Sequence, residues 1–281
     1  MLLQHVMQGR ENQMQKNNSS VLMASTLSDV FFHLKSVNNL QILGGCTYIS
    51  SLDEKSLCVK FIDELSQIEK KERYIDFGPS VTLSQIIQIR RTNLPEVLYD
   101  ALITMASESV RNLATFGGSI CAADPKIMIW SPLLALDARL EIRNQSETKY
   151  IPFSKYTGIP KGFILTKIRI PIDDWDIQIF KRVGPSSKLN DLSAGFTFLA
   201  STQKDLITNV RITFSGNTVF RSTELENKII GAHFPLTSKF IGDVVKTASS
   251  LLEKNQEYTK MQPILRQQFL NLIQYSLEQL T

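Results

Sequence analysis

The residues of this 281-residue chain best suited to chemistry are two glycine pairs, Gly44-Gly45 followed by Cys46-Thr47, and Gly117-Gly118 followed by Ser119. Glycine lets a backbone approach a ligand closely and turn consecutive N–H groups outward, and such N–H clusters bind phosphate oxygens without a cationic side chain. Thr47 and Ser119 each add a hydroxyl donor. Neither pair lies in a GxGxxG or GxxxxGK[ST] pattern, so neither a Rossmann dinucleotide site nor a P-loop is supported. Taken singly, each pair reads first as loop punctuation. If both approach a phosphate, Gly45 and Gly118 are the least replaceable residues for cofactor binding, because a larger side chain would fill the space the phosphate needs.

Other chemistry is poorly represented. The three cysteines, Cys46, Cys58 and Cys121, match no CxxC spacing and are one short of the four thiolates an iron–sulfur cluster usually takes, so no disulfide framework, zinc site or cluster is expected. Cys46 and Cys121 read as small buried residues, Asp124 as a turn former ahead of Pro125, and Arg111-Asn112 as a cap on the preceding helix. His5, His33 and His233 show no spacing that suggests a triad or metal site.

Composition bounds the rest. Apolar residues are 43% and charged residues 21%, which excludes a disordered or fibrous chain. At about 150 residues per domain the length gives two domains or one large one. The net charge of +4 is scattered, so nucleic acid is not an expected partner. Ile127 to Leu136, the most apolar stretch, is interrupted by Ser131-Pro132 and too short to span a bilayer. Residues 1–20 lack a secretory h-region and read as a loosely ordered polar leader, and the cysteine usage points to a reducing, cytoplasmic compartment.

The elements that must position the glycines follow from periodicity. Ser25-Thr26 caps a helix with apolar Leu27, Val30, Phe31 and Leu34, and Leu40 to Leu43 is a strand running into Gly44. Cys58 to Ile62 and Tyr74 to Phe77 read as strands. Thr82 and Gln85 form a capping box for a helix from Leu83 to Arg90. Pro95 opens another helix, to about Ser107, before the turn at Thr115-Phe116-Gly117-Gly118-Ser119. Strands follow at Ala138–Ile142, Phe163–Ile170, Ile177–Val183, Ser193–Ser201 and Ile207–Ser215, then helices from about Phe240. The expected boundary falls near Pro171 to Asp176.

Taken together and in order, these motifs resemble a known family. Leu43-Gly-Gly-Cys-Thr-Tyr-Ile49 resembles the AGGTDL turn, and Val110-Arg-Asn-Leu-Ala-Thr-Phe-Gly-Gly-Ser-Ile-Cys-Ala-Ala-Asp-Pro125 the IRNxATIGGNIxxxxP segment, of the FAD-binding medium subunits of molybdenum hydroxylases, the xanthine dehydrogenase and carbon monoxide dehydrogenase type. The likeness runs on through Ile75–Thr82, Ser131–Ala138 and Glu226–Gly231, covering about Ala24 to Gly231.

The resemblance implies an α+β fold: a two-lobed FAD-binding domain of the PCMH type over 21–173, then a small α+β domain with a three-stranded sheet and helices over 174–281. It implies that Ile42, Leu43, Gly44, Gly45, Cys46, Thr47, Tyr48 and Ile49, with Thr115, Phe116, Gly117, Gly118 and Ser119, cradle the FAD pyrophosphate and ribityl. It puts Met105, Leu165 and Lys181 along the flavin. Many relatives carry an acid where this chain has Tyr48 and an Asp where it has Met128; a thioether is a weak acceptor, which leaves Asp124 as a candidate partner of the ribityl hydroxyls. The implied function is electron transfer: a molybdopterin-binding subunit oxidises substrate, a [2Fe-2S] subunit carries the electrons, and FAD passes them to NAD within a heteromeric complex. A free-standing flavoenzyme of the same fold and a scaffold subunit without flavin are the alternatives.

Overall fold

A computed structural model describes residues 20–186, 188–254 and 258–281. Most of the expected leader, 1–19, lies outside the described residues; Ser20 already belongs to a strand. That strand, β1 (Ser20–Met23), pairs in parallel with β3 (Lys55–Cys58), and β3 with β2 (Gln41–Leu43), giving a small sheet of order β1-β3-β2. Helix α1 (Leu27–Ser36) covers it. Thr26 accepts from the Asp29 N–H while the Asp29 carboxylate accepts from the Thr26 N–H, so both ends of the capping box are made. Val30 of α1 then buries against Leu57, Val59 and Ile62.

A five-stranded antiparallel sheet forms the second layer, in the order β4-β5-β8-β6-β7. Its strands are β4 (Ile68–Lys70), β5 (Tyr74–Phe77), β6 (Arg139–Arg143), β7 (Thr148–Pro152) and β8 (Ile164–Pro171). Helices α2 (Leu83–Ile87), α3 (Glu96–Ile103), α5 (Phe116–Cys121) and α6 (Trp130–Ala135) share one apolar core with it, built on Phe77, Leu98, Phe116, Leu133 and Ile168, while the short α4 (Glu108–Arg111) buries no side chain.

The chain leaves this sheet at Pro171 and enters a third at Ile177. The third sheet, β12-β11-β10-β9, is antiparallel: β9 (Ile177–Val183), β10 (Ala194–Gln203), β11 (Leu206–Ser215) and β12 (Val219–Arg221). The three strands expected of this region are present, and the short β12 adds a fourth at the edge. Helices α7 (Thr223–Ile229), α8 (Ser238–Lys254) and α9 (Pro263–Glu278) cover its outer face through Phe196, Phe214, Phe220 and Phe269. Its inner face receives α6, where the Ser131 hydroxyl lies 2.6 Å from Thr197 Oγ1 and 3.2 Å from Thr213 Oγ1, and the Thr213 hydroxyl donates to the Ser131 carbonyl. All of these groups are buried, so each depends on the others for its hydrogen bond.

Three expectations are corrected. The strand expected over Cys58–Ile62 sits earlier, over Lys55–Cys58, and Val59–Ile62 instead turns into the next segment. The helices expected to reach Arg90 and Ser107 stop at Ile87 and Ile103, where Arg111 Nη1 donates 2.8 Å bonds to the carbonyls of Met105 and Ala106 just past α3, the capping role expected of it. The third correction concerns the second glycine pair, which lies within α5 rather than in a turn.

Candidate functional site

Two adjoining clefts open between the small parallel sheet and the layer of short helices. The first encloses about 340 Å³ and is lined by Ile42 to Ile49, Met105, Thr115, Gly118, Ser119, Cys121, Met128 and Arg182, among others. The second, about 390 Å³, adds Gly117, Tyr156, Phe163 and Leu165, and shares Ile42, Gly44, Thr115, Gly118 and Cys121 with the first. The common wall is therefore where the two glycine pairs meet.

They meet around one side chain. A Cβ on Gly44 would lie 2.8 Å from Thr115 Oγ1, and a Cβ on Gly118 would lie 2.7 Å from the same atom. Gly45 is glycine for a different reason: its Cβ would stand 1.9 Å from the Leu113 carbonyl oxygen. The backbones of residues 44–45 and 113–115 thus pack directly on each other, which no side-chain-bearing residue at 45 permits.

The two segments then differ in what they offer a ligand. Among the described residues, the N–H groups of Gly44, Gly45, Cys46, Thr47, Tyr48 and Ile49 donate no hydrogen bond within the chain. This loop is anchored at its far side instead, where the Gln41 side chain accepts from the Asp53 N–H at 3.1 Å and from the Ser56 hydroxyl at 3.0 Å. Cys46, at φ 54°, takes the left-handed conformation that such a loop requires, and it is exposed rather than buried as expected. The second segment has spent its donors: the Phe116 N–H goes to Val81 O, Gly117 to Pro79 O, Gly118 to Thr115 Oγ1 and Ser119 to Thr115 O. It is helical because Thr115 caps it and because Gly117, whose Cβ would lie 2.4 Å from Pro79, lets α5 settle against that proline. What α5 still presents is the Thr115 hydroxyl proton, since Thr115 Oγ1 only accepts from Gly118.

Tyr48 and Asp124 span the mouth. The Tyr48 hydroxyl donates to Asp124 Oδ2, and this bond, with burial, pushes the phenol up to about 12. Asp124 also accepts from the Lys126 N–H at 3.0 Å and faces Lys126 Nζ at 3.9 Å. Met128, in place of an acid, is buried and supplies apolar wall with Leu83, Val110 and Ile127. Cys121 opens on both clefts and, like Cys46, is exposed rather than buried as expected, yet desolvation by the surrounding protein atoms pushes its thiol up to about 11.

Of the expected site residues, Ile42 to Ile49, Met105, Thr115, Gly118, Ser119 and Met128 converge on the first cleft, Gly117 and Leu165 reach only the second, and Asp124 stands at the mouth through Tyr48. Phe116 lies in the core, packed edge-on against Phe77. Lys181 lies apart from both clefts, its Nζ 5.5 Å from the centre of the Tyr275 ring on the outer side of β9. Alternation along a strand is the reason: the next residue, Arg182, points the other way and lines the first cleft. The alternation of Ile177–Val183 was the signal that separates the two.

Residues 15–173 match the model of the FAD binding domain in molybdopterin dehydrogenase. The chain is 24% identical to the glyceraldehyde dehydrogenase medium chain of Sulfolobus acidocaldarius, over 85% of this chain and 90% of that one. It is 27% identical to a putative xanthine dehydrogenase FAD-binding subunit of Escherichia coli, over 47% of this chain and 43% of that one. Its fold is similar to that of a Cu,Mo-CO dehydrogenase chain (TM-score 0.78, 14% identity, 93% of this chain and 96% of that one). It is also similar to that of a chain of quinoline 2-oxidoreductase from Pseudomonas putida 86 (TM-score 0.75, 17% identity, 93% and 94%). With the family model spanning more than half its length, the chain belongs to the FAD-binding family of the molybdopterin dehydrogenases and is an FAD-binding oxidoreductase subunit of the molybdenum hydroxylase type.

Proposed function

We propose that the paired clefts hold FAD and that the chain is the electron-transfer subunit of a molybdenum hydroxylase complex, taking electrons from a [2Fe-2S] subunit fed by a molybdopterin-binding subunit and delivering them to NAD. The observation that carries this reading is the run of unpaired N–H groups from Gly44 to Ile49 beside the Thr115 hydroxyl, at the junction of two clefts. Unpaired backbone donors facing one space form a concave anion site, which fits a pyrophosphate, and the two clefts give its two arms somewhere to go. Bound there, FAD supplies the hydride and single-electron chemistry that no side chain can.

The chain's own residues bind and orient. Thr115 donates its hydroxyl toward the junction, Met105, Val110, Ile127 and Met128 exclude water from one arm, and Tyr48 occupies the Asp124 carboxylate. FAD-binding residues fall in both parts of the division at 173/174, because Arg182, Ser186 and Leu189 line the same cleft as Gly44.

Flavin content per folded monomer tests the site. Thr115→Val keeps the shape of the side chain and removes its hydroxyl, and is expected to lower FAD occupancy at least tenfold in protein whose circular dichroism matches the parent. Full occupancy would put the cofactor elsewhere. The acceptor is tested separately by mixing the flavin-loaded protein with NADH without oxygen: bleaching of the flavin band is expected, and an unbleached flavin that dithionite still reduces would remove NAD.

A further inference from the structure

We propose that Arg182 is the counter-charge for an anionic group of the bound flavin nucleotide. The guanidinium lines the first cleft beside Met105, Ala106 and Leu189. Nη1 donates to the Thr104 carbonyl, and Nη2 donates to Pro185 O at 2.6 Å and more weakly to Ser186 O at 3.4 Å. Nε is buried and has no hydrogen-bond partner among the described residues. No carboxylate forms an ion pair with this arginine among the described residues, and burial alone pulls its pKa down. Carbonyl oxygens satisfy N–H groups but leave the charge uncancelled.

A half-buried, unpaired cation is expensive to maintain, and here main-chain carbonyls alone hold it in place. The charge becomes favourable once an anion shares the cleft. The other basic groups of the chain differ: Arg169 is paired with Asp76, and Arg211 and Arg221 with Asp137. Lys188 in the first cleft and Lys161 in the second also form no ion pair among the described residues, but both are exposed to solvent, whereas Arg182 is partly buried with its Nε unpartnered.

Two groups of the nucleotide carry negative charge: the pyrophosphate always, and the pyrimidine edge of the isoalloxazine once it is reduced. The same positive charge serves either, and the measurement separates them. This inference rests on the clefts being the FAD site.

The experiment uses the full chain with FAD and two variants, Arg182→Gln and Arg182→Lys, and reads the dissociation constant of oxidised FAD together with the midpoint potential of the bound flavin. A charge-assisted hydrogen bond supports an expected loss of about tenfold. If the partner is the pyrophosphate, Arg182→Gln weakens FAD about tenfold in both redox states and leaves the potential in place. If it is the reduced ring, oxidised FAD binds nearly as before and the potential falls, about 30 mV for each tenfold loss of affinity for the reduced form in a two-electron couple. In both cases Arg182→Lys, which keeps the charge and loses the fork of carbonyl bonds, recovers most of the effect.

Affinity and potential both unchanged in well-folded Arg182→Gln overturn the proposal. So does an equal loss in the Gln and Lys variants, which would make the arginine a brace between α3 and the loop after β9. Thr115→Val keeps the two readings apart: if it loses FAD while Arg182→Gln does not, the charge inference fails alone, and if neither loses FAD the cleft itself is wrong.

Discussion

At the scale of single residues, the two glycine pairs look alike in sequence and do different work. Gly44 and Gly118 make room around Thr115 Oγ1, Gly117 makes room for Pro79, and Gly45 makes room for the Leu113 carbonyl. Gly45→Ala therefore places a methyl group against backbone that has no rotamer to escape into, and is expected to cost about 2 kcal/mol of stability, in the range of an overpacked site. Gly118→Ala meets only a hydroxyl; losing part of the Thr115 cap, about 1 kcal/mol, is offset by the better helix propensity of alanine in α5. Denaturant unfolding of the two variants checks this, with Gly45→Ala expected to unfold well before the parent and Gly118→Ala close to it. Equal destabilisation would mean that the close approach at Leu113 relaxes. Both glycines are confined first by protein atoms, so a loss of stability on substitution does not by itself report on a phosphate.

At the scale of elements, most strands and helices were legible because their apolar residues repeat with period two or near 3.6. The capping boxes at Thr26 and Thr82 lie where the spacing of hydroxyl and acid or amide puts them. What was not legible rests on contacts distant in sequence. β4, β7 and β12 are short or exposed edge strands whose residues carry no alternation, and they exist because a neighbour offers a ladder. α5 contains two glycines, which local propensity reads as a turn, and it is helical because Thr115 caps it and Pro79 presses on Gly117. A motif aligned by chemistry does not specify which face of β9 a residue takes, and it is Arg182 rather than Lys181 that lines the cleft.

The junction of β11, β12 and α7 yields a prediction at this scale. Glu226 is buried, accepts from the Ile212 N–H at 3.1 Å and faces Arg221 Nε at 3.3 Å, while Arg221 also pairs with Asp137. Burial raises the Glu226 pKa above 4.5, and Arg221 offsets only part of that. A carboxyl whose folded pKa is raised contributes stability fully present below the unfolded value and lost as pH rises through the folded one. Glu226→Gln should therefore gain stability relative to the parent between pH 4 and pH 7, while Arg221→Met should lose about 3 kcal/mol at neutral pH by leaving a buried carboxylate alone. Chemical unfolding at both pH values decides it, and a Glu226→Gln difference that does not move with pH would show that the carboxyl titrates as it does in water.

At the scale of the whole molecule, the four-stranded sheet is shared property. Its outer face builds the core with α7, α8 and α9, yet Phe180 and Leu199 from the same sheet belong to the core of the preceding layer, and Ser131 of α6 is held between Thr197 and Thr213. Arg182 and Leu189, from β9 and the loop after it, close the cleft that begins at Gly44. Two cores joined through one buried sheet and one ligand cleft should unfold together, and a ligand bound only to the folded state should stabilise both. At a free FAD concentration a hundred times its dissociation constant the gain is about 2.7 kcal/mol, which at this size corresponds to a rise in Tm of roughly 5 °C or more. Trp130 and Trp175 pack in or against the first core, so tryptophan fluorescence follows that half, while helical ellipticity follows both halves, its two longest helices, α8 and α9, lying in the second. The two signals are expected to give one coincident transition without FAD and one coincident, shifted transition with it. If fluorescence shifts with FAD while the ellipticity splits into a shifted and an unshifted step, the sheet does not couple the halves, and Arg182 and Leu189 would then have to reach the cleft from a body that folds independently of it.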